Sequence, residues 1–362
     1  MKDRYPKLEI NIGHFKENAE IVIGKCEEFG IKVAGVIKGA TGLAEIAKAY
    51  DEAGAAWIAS SRLEQIEDAV NAGINKPTMM IRIPMLSEVE EVIRLCDYSL
   101  NSEVEVLEAL DAEADKKGKK HNVILMADMG DLREGFWDKD EMAQAALYIE
   151  KNLTNLHLAG IGTNVGCYGS ICPTVDKLNE LIGVAEKIEA VIGRELEIIS
   201  GGATSTLLRI WGRDIPERIN MLRIGEGVLL ARDLQEFYGC SMPELNRDNF
   251  RLKAEVIEVK DKPTHPIGEI AVDAFGHKPE YFDRGIRRRA LLGVGKVDYG
   301  DCSELLPLEE GIEVLGASSD HTIIDVEDSP RDWKIGDIME FDVKYATMVY
   351  LTSSRNVNIV FV

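Results

Sequence analysis

Apolar residues in the first two thirds of the chain follow two alternating patterns. Short runs rich in valine, isoleucine and alanine, typical of buried strands, are each followed by a segment with apolar residues at helical spacing. Glycines such as Gly54 and Gly73 stand where the helices are expected to end. Eight strand–helix units of this kind predict a (β/α)8 barrel, the TIM-barrel fold. The predicted strands are Val33–Ile37, Trp57–Ala59, Thr78–Ile83, Tyr98–Leu100, Asn122–Ala127, Leu156–Gly162, Leu196–Ser200 and Met221–Ile224.

The pattern changes after about Gln235. From Phe250 onward apolar and polar residues alternate with a period of two, as in RLKAEVIEV and NVNIVFV, and turns rich in Gly, Pro and Asp separate the runs. This predicts an α/β fold with a barrel over residues 1–235 and a C-terminal all-β domain over residues 236–362, with the boundary inside the loop-like segment Leu234–Asn249. A short alternating run, Leu8–Ile12, predicts one further strand ahead of the barrel.

Composition narrows the range of functions. The 362 residues carry a formal net charge of −21, and the pI is about 4.8. This balance argues against nucleic acid or an anionic membrane surface as a partner, because both attract basic patches. Six cysteines are scattered without a CxxC pair, the N-terminus does not resemble a signal peptide, and no stretch approaches about 18 consecutive apolar residues. We therefore expect a cytoplasmic protein with reduced thiols.

Lys38 follows the first predicted barrel strand and precedes the small residues Gly39, Ala40, Thr41 and Gly42. The carboxyl ends of barrel strands are where this fold holds catalytic groups. Burial there would lower the pKa of the lysine and make its amine a nucleophile toward aldehydes. A solvated lysine at a strand end gives the same local pattern, so the rest of the chain has to decide between the two interpretations.

The loops after the seventh and eighth predicted strands are rich in small residues and hydroxyls. The first reads SGGATST over residues 200–206, and the second reads RIGEG over residues 223–227. Barrels commonly bind phosphate with these two loops, because small residues let backbone N–H groups approach an anion. A helix N-cap with glycine turns is the alternative interpretation. Together with Lys38, the two loops favour pyridoxal phosphate as the cofactor, carried by that lysine.

Several motifs resemble those of the alanine racemase-like enzymes, a family of barrel-type (fold type III) pyridoxal phosphate proteins. The opening LEINIGHFKENAEIV is similar to the family's first strand and helix. VAGVIKGA is similar to its cofactor-lysine motif, which implies that Lys38 binds the cofactor and acts as a catalytic base. The resemblance extends over nearly the whole chain, β domain included, and lies nearest to the branch typified by ornithine racemase.

The resemblance implies roles for further barrel residues. In MADMGDLREGF, Arg133 falls where the family has an arginine that contacts the substrate carboxylate or the cofactor hydroxyl. In GIGTNVG, Asn164 replaces a histidine that packs on the pyridine ring. In MLRIGEGVLL, Arg223 takes the place of the arginine that hydrogen-bonds the pyridine nitrogen. The phosphate-binding positions implied by the same comparison are Thr204, Gly225 and Glu226.

Two motifs of the β domain also resemble parts of the family's site. GASSDHTIIDV is similar to a Cys-Met-Asp-Gln motif and puts Ser319 and Asp320 at substrate-binding positions. VKYATMVYLTSSR is similar to the family's terminal tyrosine motif, which makes Tyr345 a candidate phosphate ligand. In this family the β domain of one chain closes the barrel of another, so the resemblance implies a homodimer with shared active sites.

One departure from the family concerns the second catalytic base. Racemisation needs an acid–base group on each face of a planar carbanion, and the prototype carries the second one on a tyrosine in Gly-Tyr-Ala-Asp-Gly. Here the stretch reads VDAFG, with Asp273 at the tyrosine position. Asp273 is the first candidate by position, and Cys167, in the loop after the sixth predicted strand, is the second. Tyr168 and His277 stay open as alternatives.

These observations predict a pyridoxal phosphate-dependent amino-acid racemase that acts on ornithine or another basic amino acid and uses no metal. Loss of the bulky tyrosine leaves room for a long substrate side chain. Three alternatives stay open: an alanine or broad-specificity racemase, a D-amino-acid lyase or dehydratase, and a non-catalytic pyridoxal phosphate-binding regulatory protein. Lyases of this kind usually hold a metal through His and Cys near the C-terminus, and residues 346–362 contain neither residue type.

Overall fold

The computed structural model describes residues 4–272, 275–276, 278 and 280–362. The chain divides into two compact units. One unit comprises Ile12–Asn246, and the other comprises the N-terminal strand together with Arg247–Val362. Within the described ranges, no helix is both long enough and apolar enough to cross a membrane.

The first unit is a closed barrel of parallel strands, as the sequence predicts. Each strand pairs in parallel with the next one along the chain, and the first pairs with the last through Ala34 opposite Arg223, which closes the barrel. The strands are β2 (Lys32–Val36), β3 (Trp57–Ser60), β4 (Thr78–Met80), β5 (Tyr98–Asn101), β6 (His121–Met126), β7 (Leu156–Gly162), β8 (Ile198–Ser200) and β9 (Met221–Ile224).

Helices connect and surround these strands. Polar side chains start two of them: Asp138 accepts hydrogen bonds from the N–H groups of Asp140 and Glu141, and Thr174 accepts one from the N–H of Lys177. The helices are α1 (Ile12–Glu27), α2 (Ala44–Glu52), α3 (Leu63–Asn71), α4 (Val89–Leu95), α5 (Val104–Lys117), α6 (Lys139–Asn152), α7 (Val175–Ile192), α8 (Leu207–Gly212), α9 (Glu226–Leu229) and α10 (Asp233–Tyr238).

Apolar side chains fill the interior of the barrel. They come from every barrel strand, and they pack as one buried cluster: Ala34, Val36, Trp57, Ala59, Met79, Leu100, Ile124, Met126, Ala159, Ile198 and Met221. A barrel filled in this way is a solid core and has no pore. The chemistry of the unit therefore belongs to the loops that follow the strands.

The second unit consists of β1 (Lys7–Ile10), β10 (Phe250–Pro263), β11 (Ile286–Leu292), α11 (Lys296–Tyr299), β12 (Leu305–Pro307), β13 (Glu313–Ala317), β14 (Thr322–Asp325), β15 (Ile338–Val343), α12 (Tyr345–Ser353) and β16 (Asn358–Phe361). Its eight strands form one sheet, in which six are neighbours in the order β12-β15-β10-β11-β14-β13. The other two strands join through β1, which pairs antiparallel with β10 and parallel with β16.

The chain passes from one unit to the other between Asn246 and Arg247, inside the predicted boundary segment Leu234–Asn249 and beyond the 235/236 division. Gln235 lies inside α10, and the chain stays with the barrel unit as far as Asn246. Asn18 on α1 holds this segment, because its Nδ2 donates to the Asn246 carbonyl at 2.7 Å and its Oδ1 accepts from the Asn246 N–H at 2.7 Å. At the other end of the chain, β1 belongs with the C-terminal strands because its pairing partners are there.

A buried histidine makes the stability of the barrel unit sensitive to acid. His121 on β6 is 2% exposed, and its Nε2 lies 2.8 Å from the Ser99 Oγ. Burial lowers the pKa of His121 to about 4, whereas an unfolded histidine titrates near about 6.5. Between these values only the unfolded chain binds the proton. Stability therefore falls as pH drops through this window, by about 1.4 kcal/mol per pH unit.

Replacing His121 with glutamine tests this linkage. We expect the stability advantage of the wild type over His121→Gln to shrink as pH falls from about 7 to about 5, because only the wild type must keep a buried imidazole uncharged. Urea denaturation of both proteins across that range measures the free energy of unfolding. Parallel pH profiles for the two proteins would contradict the assignment.

Candidate active site

Lys38 lies just beyond β2, at the start of a short 3₁₀ turn, Lys38–Ala40. Its carbonyl accepts a hydrogen bond from the N–H of Thr41, and its side chain is half-buried. Burial lowers the pKa of Lys38, and the charges of Arg133 and Arg223 lower it further, whereas Cys167 and Glu134 act in the opposite direction. More of the amine is therefore uncharged near neutral pH than in a solvated lysine.

Arg223 lies on β9 and is 3% exposed. One terminal nitrogen donates to the Ser200 Oγ. The other donates to the Thr163 carbonyl at 2.7 Å and to the Asn164 Oδ1 at 2.6 Å. No described residue accepts a hydrogen bond from its Nε–H. Burial lowers the pKa of Arg223 to about 10, so the guanidinium stays charged at neutral pH and keeps one donor available.

Asn164 connects Arg223 to the loop that follows β6. Its Oδ1 accepts from Arg223, and its Nδ2 donates to the Glu134 Oε1. Arg133 donates to the same carboxylate through its Nε and, at 2.8 Å, through its Nη2. A continuous chain of hydrogen bonds therefore runs from Arg133 through Glu134 and Asn164 to Arg223.

The loop that carries Arg133 is held by its own polar groups. The Asp128 Oδ1 accepts hydrogen bonds from the N–H groups of Gly130 and Leu132, at 2.8 and 3.1 Å. Lys139 Nζ donates to the carbonyls of Asp128 and Phe136, at 2.7 Å each. Leu132 has φ of 57°, a conformation uncommon for a bulky residue. Such conformations persist where surrounding contacts enforce them, and they cluster at functional sites.

Cys167 and Tyr168 lie in the loop after β7, and both are exposed. Their backbone N–H groups donate to the carboxylate of Asp131, at 3.3 and 3.0 Å. Asp131 is itself 2% exposed, so a buried carboxylate ties this loop to the one that carries Arg133. Cys167 is also among the groups whose charge acts on both Lys38 and Arg223.

The loops after β8 and β9 are joined by a hydrogen bond from the Gly227 N–H to the Thr204 Oγ1, at 3.1 Å. Gly202 has φ of 113°, which favours glycine at this position. At Gly227 a Cβ would lie 2.8 Å from the Leu207 Cδ1 and 3.1 Å from the Thr204 Cγ2, so a larger residue there would have to displace these side chains. Small residues thus leave the backbone accessible around Thr204 and Gly225.

The side chain of Glu226 has a structural role. Its Oε1 accepts hydrogen bonds from the N–H groups of Arg232 and Asp233, at 2.9 and 3.1 Å, at the start of α10. Its Oε2 is buried and has no partner among the described residues. Burial raises the pKa of the Glu226 carboxyl to about 7, and the nearby Asp233 raises it as well. The role implied for Glu226 in phosphate binding concerns its backbone N–H.

The remaining candidates belong to the second unit. Ser319 and Asp320 lie in the turn between β13 and β14, where the Ser319 Oγ donates to the Asp320 Oδ2 at 2.6 Å. Tyr345 is the first residue of α12. Asp273 and His277 lie outside the described residues.

Sequence reasoning missed Glu134, although the structure places its carboxylate between Arg133 and Asn164. A charged residue next to an implied site arginine, in a loop after a barrel strand, was the available signal. It missed Ser200 and Thr163 as well, which hold Arg223 from the ends of β8 and β7. The latter contacts depend on barrel geometry and are not visible in local motifs.

Known proteins are similar to this chain over most of its length. The family described as "Alanine racemase, N-terminal domain" matches residues 10–233. Ornithine racemase from Acetoanaerobium sticklandii is 41% identical over 345 residues, covering 95% of this chain and 96% of that protein. Lysine racemase from Thermotoga maritima is 38% identical over 350 residues, covering 97% of this chain and 96% of that protein. Alanine racemase from Streptomyces lavendulae shares the fold, with a TM-score of 0.78 at 18% identity, covering 99% of this chain and 98% of that one.

Proposed function

The chain belongs to the alanine racemase family, and on that premise we propose that it is a pyridoxal phosphate-dependent racemase of basic amino acids, ornithine foremost. One observation supports this proposal above the others. Lys38 lies just beyond a barrel strand, and its burial together with the positive charges of Arg133 and Arg223 lowers the pKa of its amine. The relatives named for ornithine and lysine support a basic substrate.

The residues present fit pyridoxal phosphate. Arg223 keeps an Nε–H donor that no described residue uses, which suits the ring nitrogen of the cofactor. Lys38 would carry the cofactor through its amine. Thr204 and the backbone at Gly225 and Glu226 would hold the phosphate, because small residues and hydroxyl donors in these two loops suit an anion. Tyr345 joins this set through the family resemblance alone.

Pyridoxal phosphate, when bound, supplies the electron withdrawal that acidifies the α-proton of an amino acid. Arg223 stays protonated at neutral pH and offers only donors, so it leaves the ring nitrogen unprotonated. With its ring nitrogen unprotonated, the cofactor would withdraw electrons from the α-carbon less strongly, so the negative charge left by proton removal would stay nearer that carbon. Arg223 thereby favours return of the proton to that carbon over transamination.

Lys38 Nζ moves the α-proton on one face of the substrate. Its lowered pKa keeps part of the amine uncharged and able to accept that proton near neutral pH. Arg133 would bind the substrate carboxylate, a role supported by the 39% exposure of its side chain and by its hydrogen bond to Glu134.

Inversion requires a second acid–base group on the opposite face. Asp273 remains the first candidate on its position in the sequence. Cys167 remains the second, because it is exposed in the loop after β7, and its backbone is held by Asp131. Ser319 and Asp320 complete the proposed substrate site in a homodimer in which each β domain serves the partner's barrel.

The test is a panel of single enantiomers of ornithine, lysine, arginine, alanine and serine. The cofactor-loaded protein is incubated with each one, and the products are separated by chiral chromatography. We expect ornithine or lysine to converge on equal amounts of both enantiomers from either side. Conversion of alanine alone would overturn the proposed substrate class, and release of ammonia and an oxo-acid would indicate a lyase or dehydratase. Binding of cofactor with no turnover of any substrate would favour a regulatory protein.

A further inference from the structure

The loop after β6 places one carboxylate among several cations of the candidate site. Glu134 accepts two hydrogen bonds from Arg133 and one from Asn164, and its side chain is 19% exposed. None of the roles carried over from the family falls on this residue. Its contacts nevertheless link the arginine of the substrate site to the arginine expected at the cofactor ring.

The orientation of the Asn164 amide depends on Glu134. The amide oxygen faces a guanidinium donor of Arg223 at 2.6 Å, and the amide nitrogen faces the Glu134 carboxylate. Rotating the amide by half a turn would bring its NH2 group against an N–H of Arg223 and its oxygen against the carboxylate of Glu134. Neither pair of groups could form a hydrogen bond. Because Glu134 is acceptor-only when ionised, it permits one amide orientation, and that orientation holds Arg223 in place.

We propose that Glu134 is a positioning residue that fixes Asn164 and, through it, Arg223, and that its carboxylate, the counter-ion of Arg133, also offsets the positive charge around Lys38. The positioning of Arg223 toward a cofactor rests on the proposed function. The counter-ion role concerns this chain alone and is testable without cofactor.

The charges around Lys38 show what the carboxylate does. Burial, Arg133 and Arg223 lower the pKa of Lys38, and Cys167 and Glu134 raise it. Glu134 is also the leading charge that keeps Arg223 protonated against the effect of burial. Asn164 itself does not titrate, in contrast to the histidine of the family motif. Neutralising Glu134 removes one negative charge near Lys38, whereas the two guanidinium groups remain. The pKa of Lys38 should therefore fall further.

The first measurement uses the apoprotein. Competitive acetylation of Lys38 across a range of pH, read by peptide mass spectrometry, reports the uncharged fraction of its amine. We expect Glu134→Gln to raise the labelling of Lys38 near neutral pH by roughly threefold, through a lower lysine pKa. Glu105→Gln, an equal charge change at an exposed position on α5, should match the wild type. Superimposable profiles for Glu134→Gln and the wild type would overturn the counter-ion role.

The second measurement separates charge from positioning. Glu134→Asp keeps the carboxylate but withdraws it from Asn164, so Lys38 labelling should stay near the wild type. In the holoenzyme, both Glu134 variants should shift the visible absorption of the bound cofactor and lower kcat by roughly tenfold, with a smaller change in KM. A wild-type spectrum and kcat in Glu134→Asp would overturn the positioning role. If the wild type itself binds cofactor without racemising, the proposed function fails, whereas the labelling result stands independently.

Discussion

Replacing Lys38 with alanine will abolish racemisation, with kcat lowered by at least about a thousandfold. The substitution removes both the amine that carries the cofactor and the base that moves the α-proton. No described residue hydrogen-bonds the Lys38 side chain, which is half-buried at a strand end. The fold should therefore survive the change, so the loss can be read as a loss of chemistry.

The measurement is kcat for L-ornithine with cofactor supplied in excess, together with the visible absorption of the protein. Lys48→Ala removes an exposed lysine on α2 and provides the matched control, which should retain activity and absorption. Residual activity of Lys38→Ala within about tenfold of the wild type would be inconsistent with both assigned roles.

Replacing Arg223 with lysine should lower kcat by about a hundredfold to a thousandfold while keeping the positive charge. The planar guanidinium contacts Ser200, Thr163 and Asn164 and retains one further donor. The single ammonium group of a lysine cannot make all of these contacts in the same geometry. Each buried partner left without a hydrogen bond costs roughly 1–3 kcal/mol, so the stability of the variant should fall as well.

Stability and catalysis can be separated in this variant. Urea denaturation measures the change in the free energy of unfolding, and steady-state kinetics below the unfolding transition measure kcat and KM. We expect kcat to fall far more than KM rises, because the contact with the ring nitrogen acts mainly after substrate has bound. If Arg223→Lys keeps kcat within about threefold of the wild type, the guanidinium geometry is unimportant and the assigned role is wrong.

The fold was largely readable from the sequence because it follows from local patterns. Strand and helix signals alternate through the barrel, and each strand pairs with its neighbour along the chain. The first strand shows the limit of this reasoning. Its alternating pattern predicts a strand, but nothing local indicates that Lys7–Ile10 pairs with residues 250–253 and 358–361. The position of the boundary within Leu234–Asn249 likewise depends on a long-range contact, between Asn18 and Asn246.

Sequence motifs identify candidate site residues that lie within one short segment. They do not reveal contacts between residues that are far apart along the chain. Lys38 and Arg223 stand in local patterns at strand ends, and the charge of Arg223 contributes to the lowered pKa of Lys38. Glu134 meets Asn164 across two loops that are thirty residues apart in sequence. Asn164 itself was expected to substitute for a ring-packing histidine, whereas the structure gives it a second task as the connection between Glu134 and Arg223.

The most direct test of the account follows the α-proton of L-ornithine in deuterated water. Proton NMR reports exchange at the α-carbon, and chiral chromatography of the same sample reports D-ornithine. We predict that the α-proton signal disappears as D-ornithine forms, that both changes require pyridoxal phosphate, and that Lys38→Ala shows neither. An α-proton that persists in the cofactor-loaded wild type, with no D-ornithine formed, would contradict the central claim.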